Sequence, residues 1–158
     1  MLKFIVDENV GKLARWLRMM GYDSAFFSGG DDSSMVRQAL SEGRILLTRD
    51  TEISKRRVVT SRQLKAVLFS TDDPAEQMRQ LLLQFDILTE ARPFTICLED
   101  NEPLVPKTPA EVKERVPPYV FKNQEQYMEC PLCRRIYWRG THWAAMKKWL
   151  EKTLNSNN

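Results

Sequence analysis

The segment that most constrains the fold is Arg44–Asp50, which reads Arg-Ile-Leu-Leu-Thr-Arg-Asp. Ile45, Leu46 and Leu47 form a short continuous apolar run behind Gly43, a residue suited to ending a helix. A strand covered on both faces of a parallel sheet is apolar without alternation, and this run fits that pattern. It then stops on an acid, Asp50. Open α/β sheets bind ligands beyond the carboxyl ends of their strands, so an acid delivered there is a candidate functional group. A second copy of the arrangement, Leu2-Lys3-Phe4-Ile5-Val6-Asp7, stands at the start of the sequence.

Between the two copies the pattern predicts helix, strand and helix. Val10, Leu13, Leu17 and Met20 recur at three- and four-residue steps beside Trp16, with Gly21 as a natural helix end. Tyr22–Phe27 reads as a second strand. Asp31, Asp32 and two serines offer N-caps for a helix through Glu42. A fourth strand is expected at Lys65–Phe69. Asp73-Pro74-Ala75-Glu76 then combines a capping box with proline at the first helical position. Strands alternating with helices imply βαβ units, hence an α/β fold around a parallel sheet.

Composition changes near Ala91. Seven of the eight prolines lie between Pro93 and Pro131, and five of the six glycines lie at or before Gly43. The expected organisation is therefore a core over residues 1–90, a proline-rich module over 91–140, and a C-terminal helix and tail over 141–158. In that last segment Trp143, Met146, Trp149 and Leu150 form an apolar face for packing on the body. No apolar run approaches the ~20 residues that span a bilayer, and no N-terminal signal pattern is present. A cytoplasmic protein without membrane contact is the expectation. A net charge of +3 permits a nucleic-acid partner without requiring one.

If the first and third strands are neighbours, Asp7, Asp50 and Asp31-Asp32 converge at one end of the sheet. Carboxylates that close repel and raise each other's pKa unless a cation intervenes. Mg²⁺ and Mn²⁺, hard ions with oxygen ligands, suit such a cluster and polarise phosphoryl oxygens. The competing roles are plain ones: Asp7 as a cap of the first helix, Asp31 or Asp32 as a cap of the second. Lys12, Arg15, Arg18, Arg49, Arg56 and Arg57 offer phosphate-facing charge around the pocket, or else a solvated face. His142 is the sole histidine, and no nucleophile stands in a triad-like signature. Cys130-Pro131-Leu132-Cys133 reads as half of a zinc site, with Cys97 and Asp100, three residues apart, offering the other half, or else as a free thiol pair in a ribbon that no longer holds metal.

These residues resemble a known family, the Mut-seven C-terminal RNase domain. The matching stretches are Phe4–Asn9 with Gly11–Arg18 and Gly21–Asp23, then Gly43–Asp50, then Cys130–Cys133 with Ile136–Trp143, in the family's order. The resemblance implies a PIN-like three-layer α/β/α sandwich with a zinc-ribbon module, and metal-dependent RNA hydrolysis. It implies Asp7, Asp32 and Asp50 as Mg²⁺ or Mn²⁺ ligands, with Glu8 and Asp31 as neighbours. It also implies a four-cysteine ribbon, and here the chain departs from the pattern, because Asp100 stands where a fourth cysteine is expected. A zinc site weaker than a four-cysteine one follows. Basic side chains are expected to hold the RNA backbone, and Trp138, His142 and Trp143 to stack or pack near it. Two other classes stay open: a receiver-like phosphoacceptor domain built on Asp7, Glu8 and Asp50, and a non-catalytic RNA-binding protein on the same scaffold. The first lacks a fifth strand ending in lysine and has no place for the cysteine module.

Overall fold

Strands β1 (Phe4–Asp7) and β3 (Ile45–Thr48) are buried at every position, as central strands of a parallel sheet must be. In this computed structural model, residues 1–155 are described, without the side chains of Thr141, His142 and Leu154. The expectation that His142 stacks near RNA therefore lies outside the described residues. β1 pairs in parallel with both β2 (Ser24–Phe27) and β3, and β3 pairs with β4 (Ala66–Leu68), giving the order β2-β1-β3-β4. Phe4 stands opposite Ile45 and Val6 opposite Leu47. The chain leaves β1 towards one side of the sheet and reaches β3 on the other. The crevice between the carboxyl ends of β1 and β3 is thus the switch point of the sheet.

Alternate residues of the two central strands feed two apolar clusters, one on each face. Phe4, Val6, Ile45 and Leu47 meet helices α1 (Lys12–Met19) and α5 (Pro74–Gln84), together with Leu150 of α8 (Thr141–Asn155). Ile5 and Leu46 meet α2 (Asp32–Glu42), α3 (Thr51–Ser54) and the Val58-Val59 stretch of α4 (Arg57–Thr60). The result is helices on both faces of one sheet. Trp149 closes the first face edge-on against Trp16, ring centroids 5.3 Å apart.

Local chemistry sets several boundaries. The first strand starts two residues later than its apolar run suggests and takes in Asp7. The second begins at Ser24, because Tyr22 is buried with its hydroxyl donating to Ile87 O at 2.6 Å. Gly21 takes φ +89, and a Cβ there would stand 2.1 Å from Arg92 O, so only glycine fits. The expected capping box at Asp73 is half made. Asp73 accepts from Ala75 N, but Glu76 turns away to pair with Arg79. The full box occurs at Thr108 and Glu111, which open the short helix α6 (Pro109–Val112).

The proline-rich stretch builds a second sheet from β5 (Val105–Lys107), β6 (Tyr127–Glu129) and β7 (Ile136–Trp138), antiparallel in that order. Between β5 and β6, Val112 of α6, Val116 of the connection and Val120 of α7 (Pro118–Asn123) form a small cluster with Tyr127. Glu129 is buried there and paired with both Arg115 and Arg134.

Candidate functional site

At the switch point the polar groups form a connected set. The Thr48 hydroxyl donates to Asp7 Oδ2 at 2.7 Å, and Glu8 N donates to Asp7 Oδ1 at 2.8 Å. Thr48 Oγ1 also accepts from Asp50 N at 3.0 Å, so one hydroxyl fixes the strand-end acid and the acid two residues past its own strand. Asp50 Oδ1 in turn caps α3 by accepting from Glu52 N. Across the crevice Asn9 Oδ1 accepts from Arg49 N at 3.1 Å and ties the two strand-end loops together.

Asp32, in the first turn of α2, faces this set. Its carboxyl is held above the ordinary carboxylate range by burial, then by a hydrogen bond shared with Asp50 and by the charges of Asp50 and Asp7; Arg56 opposes the shift. Asp31 behaves differently. It is exposed, accepts from Ser34 N at 2.7 Å as the N-cap of α2, and lies below the ordinary range chiefly because of that bond. Glu8 is exposed at the rim. Of the capping roles weighed from the sequence, Asp31 caps α2, whereas Asp7 caps the single 3₁₀ turn Glu8–Val10 and not α1, whose N-cap Gly11 has no side-chain bond to offer. The cap that Asp50 gives α3 was not among them. The donor set, hard carboxylate oxygens carrying excess negative charge, fits a divalent cation such as Mg²⁺ or Mn²⁺.

The six basic residues divide. Lys12, Arg49 and Arg57 are exposed. Arg56 donates to Ser33 Oγ at 3.1 Å, beside the acids. Arg15 pairs with Glu99 while staying half exposed. Arg18 corrects the expectation of a phosphate-facing side chain. It is buried, its Nε donates to Ser24 O at 2.9 Å, and its Nη1 reaches Leu98 O at 2.9 Å and Glu99 O at 3.3 Å. Burial holds its guanidinium below the ordinary arginine pKa, against the attraction of Cys97, Glu99, Asp100 and Asp23.

Thr48 and Asn9 were not identifiable as site residues beforehand. The only hint for Thr48 is a hydroxyl closing an apolar strand two residues ahead of an acid.

The second cluster lies in the other sheet's loops. Ligand atoms of Cys97, Asp100, Cys130 and Cys133 all fall within 4.8 Å of one another. The two halves are built alike. Asn101 N donates to Cys97 O at 3.0 Å and Cys97 N to Glu102 O at 2.8 Å; Arg134 N donates to Cys130 O at 2.9 Å and Cys130 N to Arg135 O at 3.0 Å. Asn101 and Arg134, each one residue past the second ligand position, both take left-handed φ, +60 and +69. The backbone therefore presents Asp100 as it presents Cys133. The Tyr137 hydroxyl sits 3.1 Å from Cys97 Sγ and accepts from Leu98 N at 3.2 Å. Burial raises the Cys97 thiol, but hydrogen bonds led by Tyr137 outweigh it and bring the pKa below the ordinary value. Cys133 is pushed up to about 12, chiefly by the hydrogen bond it shares with the Asp100 carboxylate. Three sulfurs and one oxygen in this geometry could hold a metal ion such as zinc.

The sequence matches one family model, described as the Mut7-C RNAse domain, over residues 2–150. No curated protein and no solved structure matches it.

Proposed function

We propose, on the premise that the chain belongs to the Mut7-C RNAse domain family, that it is a metal-dependent ribonuclease of PIN-like fold. The observation that carries this is the junction at the switch point of the sheet, where the Thr48 hydroxyl bonds both Asp7 and the backbone of Asp50 beside Asp32 in the first turn of α2. Asp7, Asp32 and Asp50 would hold Mg²⁺ or Mn²⁺, with Glu8 and Asp31 at the rim. When bound, such an ion neutralises the carboxylates and acts as a Lewis acid on water and the scissile phosphate. The chain's own part is orientation. Thr48 and Glu8 N hold Asp7, Thr48 also holds the backbone at Asp50, and the Asn9–Arg49 bond keeps the two loops together. Lys12, Arg49, Arg56 and Arg57 would bind the RNA backbone. Three free cysteines suit the reducing cytoplasm, and among the described residues no helix is long and apolar enough to cross a membrane.

Metal-stripped protein should not cleave a single-stranded RNA, and added Mn²⁺ or Mg²⁺ should restore cleavage that EDTA again removes. Tight RNA binding without cleavage under any divalent ion would leave only the RNA-binding role. The phosphate contacts have their own signature. Lys12→Gln and Arg49→Gln should each lower the slope of log affinity against log salt by about 0.7 on single strands, uniformly across sequences. An unchanged slope would make these side chains a solvated face.

Zinc is the ion proposed for the cysteine cluster, as a crosslink between the two loops. Asp100 supplies a harder ligand than the thiolate of a four-cysteine ribbon, so the site should be weaker. Because the backbone still presents position 100 to the sulfurs, Asp100→Cys should tighten zinc on the order of 10–100-fold, the scale of other changes around metal ligands. Zinc retention against a graded chelator series measures this. Equal retention by both proteins would remove Asp100 from the ligand set.

A further inference from the structure

Beside the cysteine cluster lies a cavity of about 470 Å³ whose walls come from both sheets' surroundings. Arg15 and Met19 of α1 form one side. Phe94, Leu98, Tyr137, Trp138 and Trp143 contribute to the others, and each of these stays half-buried. A second cleft, of about 530 Å³, shares Phe94, Tyr137 and Trp138, so an aromatic wall separates two openings. The Arg139 guanidinium stands 5.5 Å from the Phe94 ring centroid at the edge of this wall.

We propose that this cavity binds an unpaired nucleobase of the RNA substrate, so that the protein takes single-stranded segments; the proposal rests on the ribonuclease reading above. Its volume falls within the range of small-ligand sites, and flat aromatic walls suit a planar ring. Arg15 lines it while paired with Glu99, and Arg139 stands across the shared wall in the lining of the second cleft, where it suits a phosphate beside a flipped-out base. Position completes the argument. Lys12, Arg15 and Met19 recur at steps of three and four along α1 and so share a face. That helix follows directly on the turn starting at Asp7, and from Lys12 to Met19 it rises roughly 10 Å. One helix face therefore runs from the acid centre to the cavity, and a single strand lying along it would meet cations first and aromatic rings next. Bases stacked in a duplex could not enter. An apolar peptide would fill the same walls but would bring no anionic group to Arg139.

The test uses the full-length Asp7→Asn protein, in which RNA stays intact. Three probes are titrated and followed by tryptophan fluorescence: a short oligouridine strand, an abasic ribose-phosphate strand of equal length, and a leucine-rich amphipathic peptide. The oligouridine strand should quench the tryptophans and bind about tenfold more tightly than the abasic strand, the scale of one stacked base. Gly140→Leu, made in the same background, places a side chain at the cavity wall. A Cβ there meets nothing nearer than Trp138 at 3.8 Å, so the fold accommodates it. This substitution should bring the two affinities together while preserving abasic-strand binding. Equal affinities in the unsubstituted protein, or a difference that survives Gly140→Leu, would overturn the nucleobase pocket and leave the ribonuclease reading standing. Binding of neither strand overturns both. Quenching by the peptide and not by oligouridine would identify a protein-docking groove and overturn the proposal.

Discussion

Cleavage of RNA by the Asp7→Asn protein is expected to fall by at least about 10²-fold, the usual effect of removing one preorganised electrostatic group from a reaction centre. Asp50→Asn should act alike. The substitution removes one negative ligand at nearly constant volume, and the surroundings limit the structural damage. Asp7 accepts two hydrogen bonds, from Thr48 and from Glu8 N. An asparagine keeps the acceptor for one of them and turns its amide towards the Thr48 hydroxyl, which can rotate and accept. The cost should stay near 1 kcal/mol, a single exchanged hydrogen bond, so circular dichroism and melting should be close to those of the native chain. Asp32→Asn provides the contrast. The folded state holds the Asp32 proton more tightly than a free aspartic acid does. Ionisation therefore costs stability at pH values above the raised folded pKa, and the cost disappears as pH falls below the unfolded value. In metal-free protein Asp32→Asn should raise the melting temperature at neutral pH and give no gain in strong acid. Full cleavage by both purified Asp7→Asn and Asp50→Asn would falsify the assignment of the acid centre.

Arg18→Met should destabilise the chain by about 2–4 kcal/mol. The side chain keeps its length and apolar stem but loses its donors to Ser24 O, Leu98 O and Glu99 O. Buried acceptors left without donors cost ~1–3 kcal/mol each, reduced where water can reach them. Leu98 and Glu99 lie within the Cys97–Asp100 loop, so the damage should not stay in the core. Chelator should strip metal from the variant faster, and proteolysis within residues 91–104 should accelerate before the core unfolds. Asn101 carries part of the same docking, accepting from Ser24 N and donating to Asp23, and sets a floor under the effect. Urea denaturation with unchanged midpoint, and native proteolysis kinetics, would show that Arg18 does not fasten the two parts.

Where the sequence spoke through short-range pattern, the structure agrees. The apolar runs at Ile45–Leu47 and Phe4–Val6 are central strands, and at their carboxyl ends the Thr48 hydroxyl links Asp7 to the backbone of Asp50. The three-residue spacings of Cys97 with Asp100 and Cys130 with Cys133 become paired loops facing one another. What could not be read needed a partner distant in sequence. Arg18 lies on the polar side of its helix, and a helical pattern cannot distinguish solvent from a loop eighty residues away supplying carbonyl oxygens. Glu76 had two alternatives of comparable energy, a cap and an arginine three residues on, and took the latter. Thr48 acquires its role only once β1 lies beside β3 and brings Asp7 to its hydroxyl.

The placement of α8 has a consequence for how the molecule is made. Leu150 is fully buried in the cluster that joins α1 and α5 to the sheet, and Trp149 packs on Trp16. Synthesis runs from the N-terminus, so the parallel sheet emerges first and the element that seals its first face comes only after the entire cysteine module. At ~5–20 residues per second that interval lasts on the order of several seconds. During it the nascent sheet has one apolar flank open to the medium, including the ring of Trp16. The age at which this chain is most prone to sticking is therefore set by the length of the insert between its fifth and last helices, and a chaperone that shields a nascent flank would be most useful in that window.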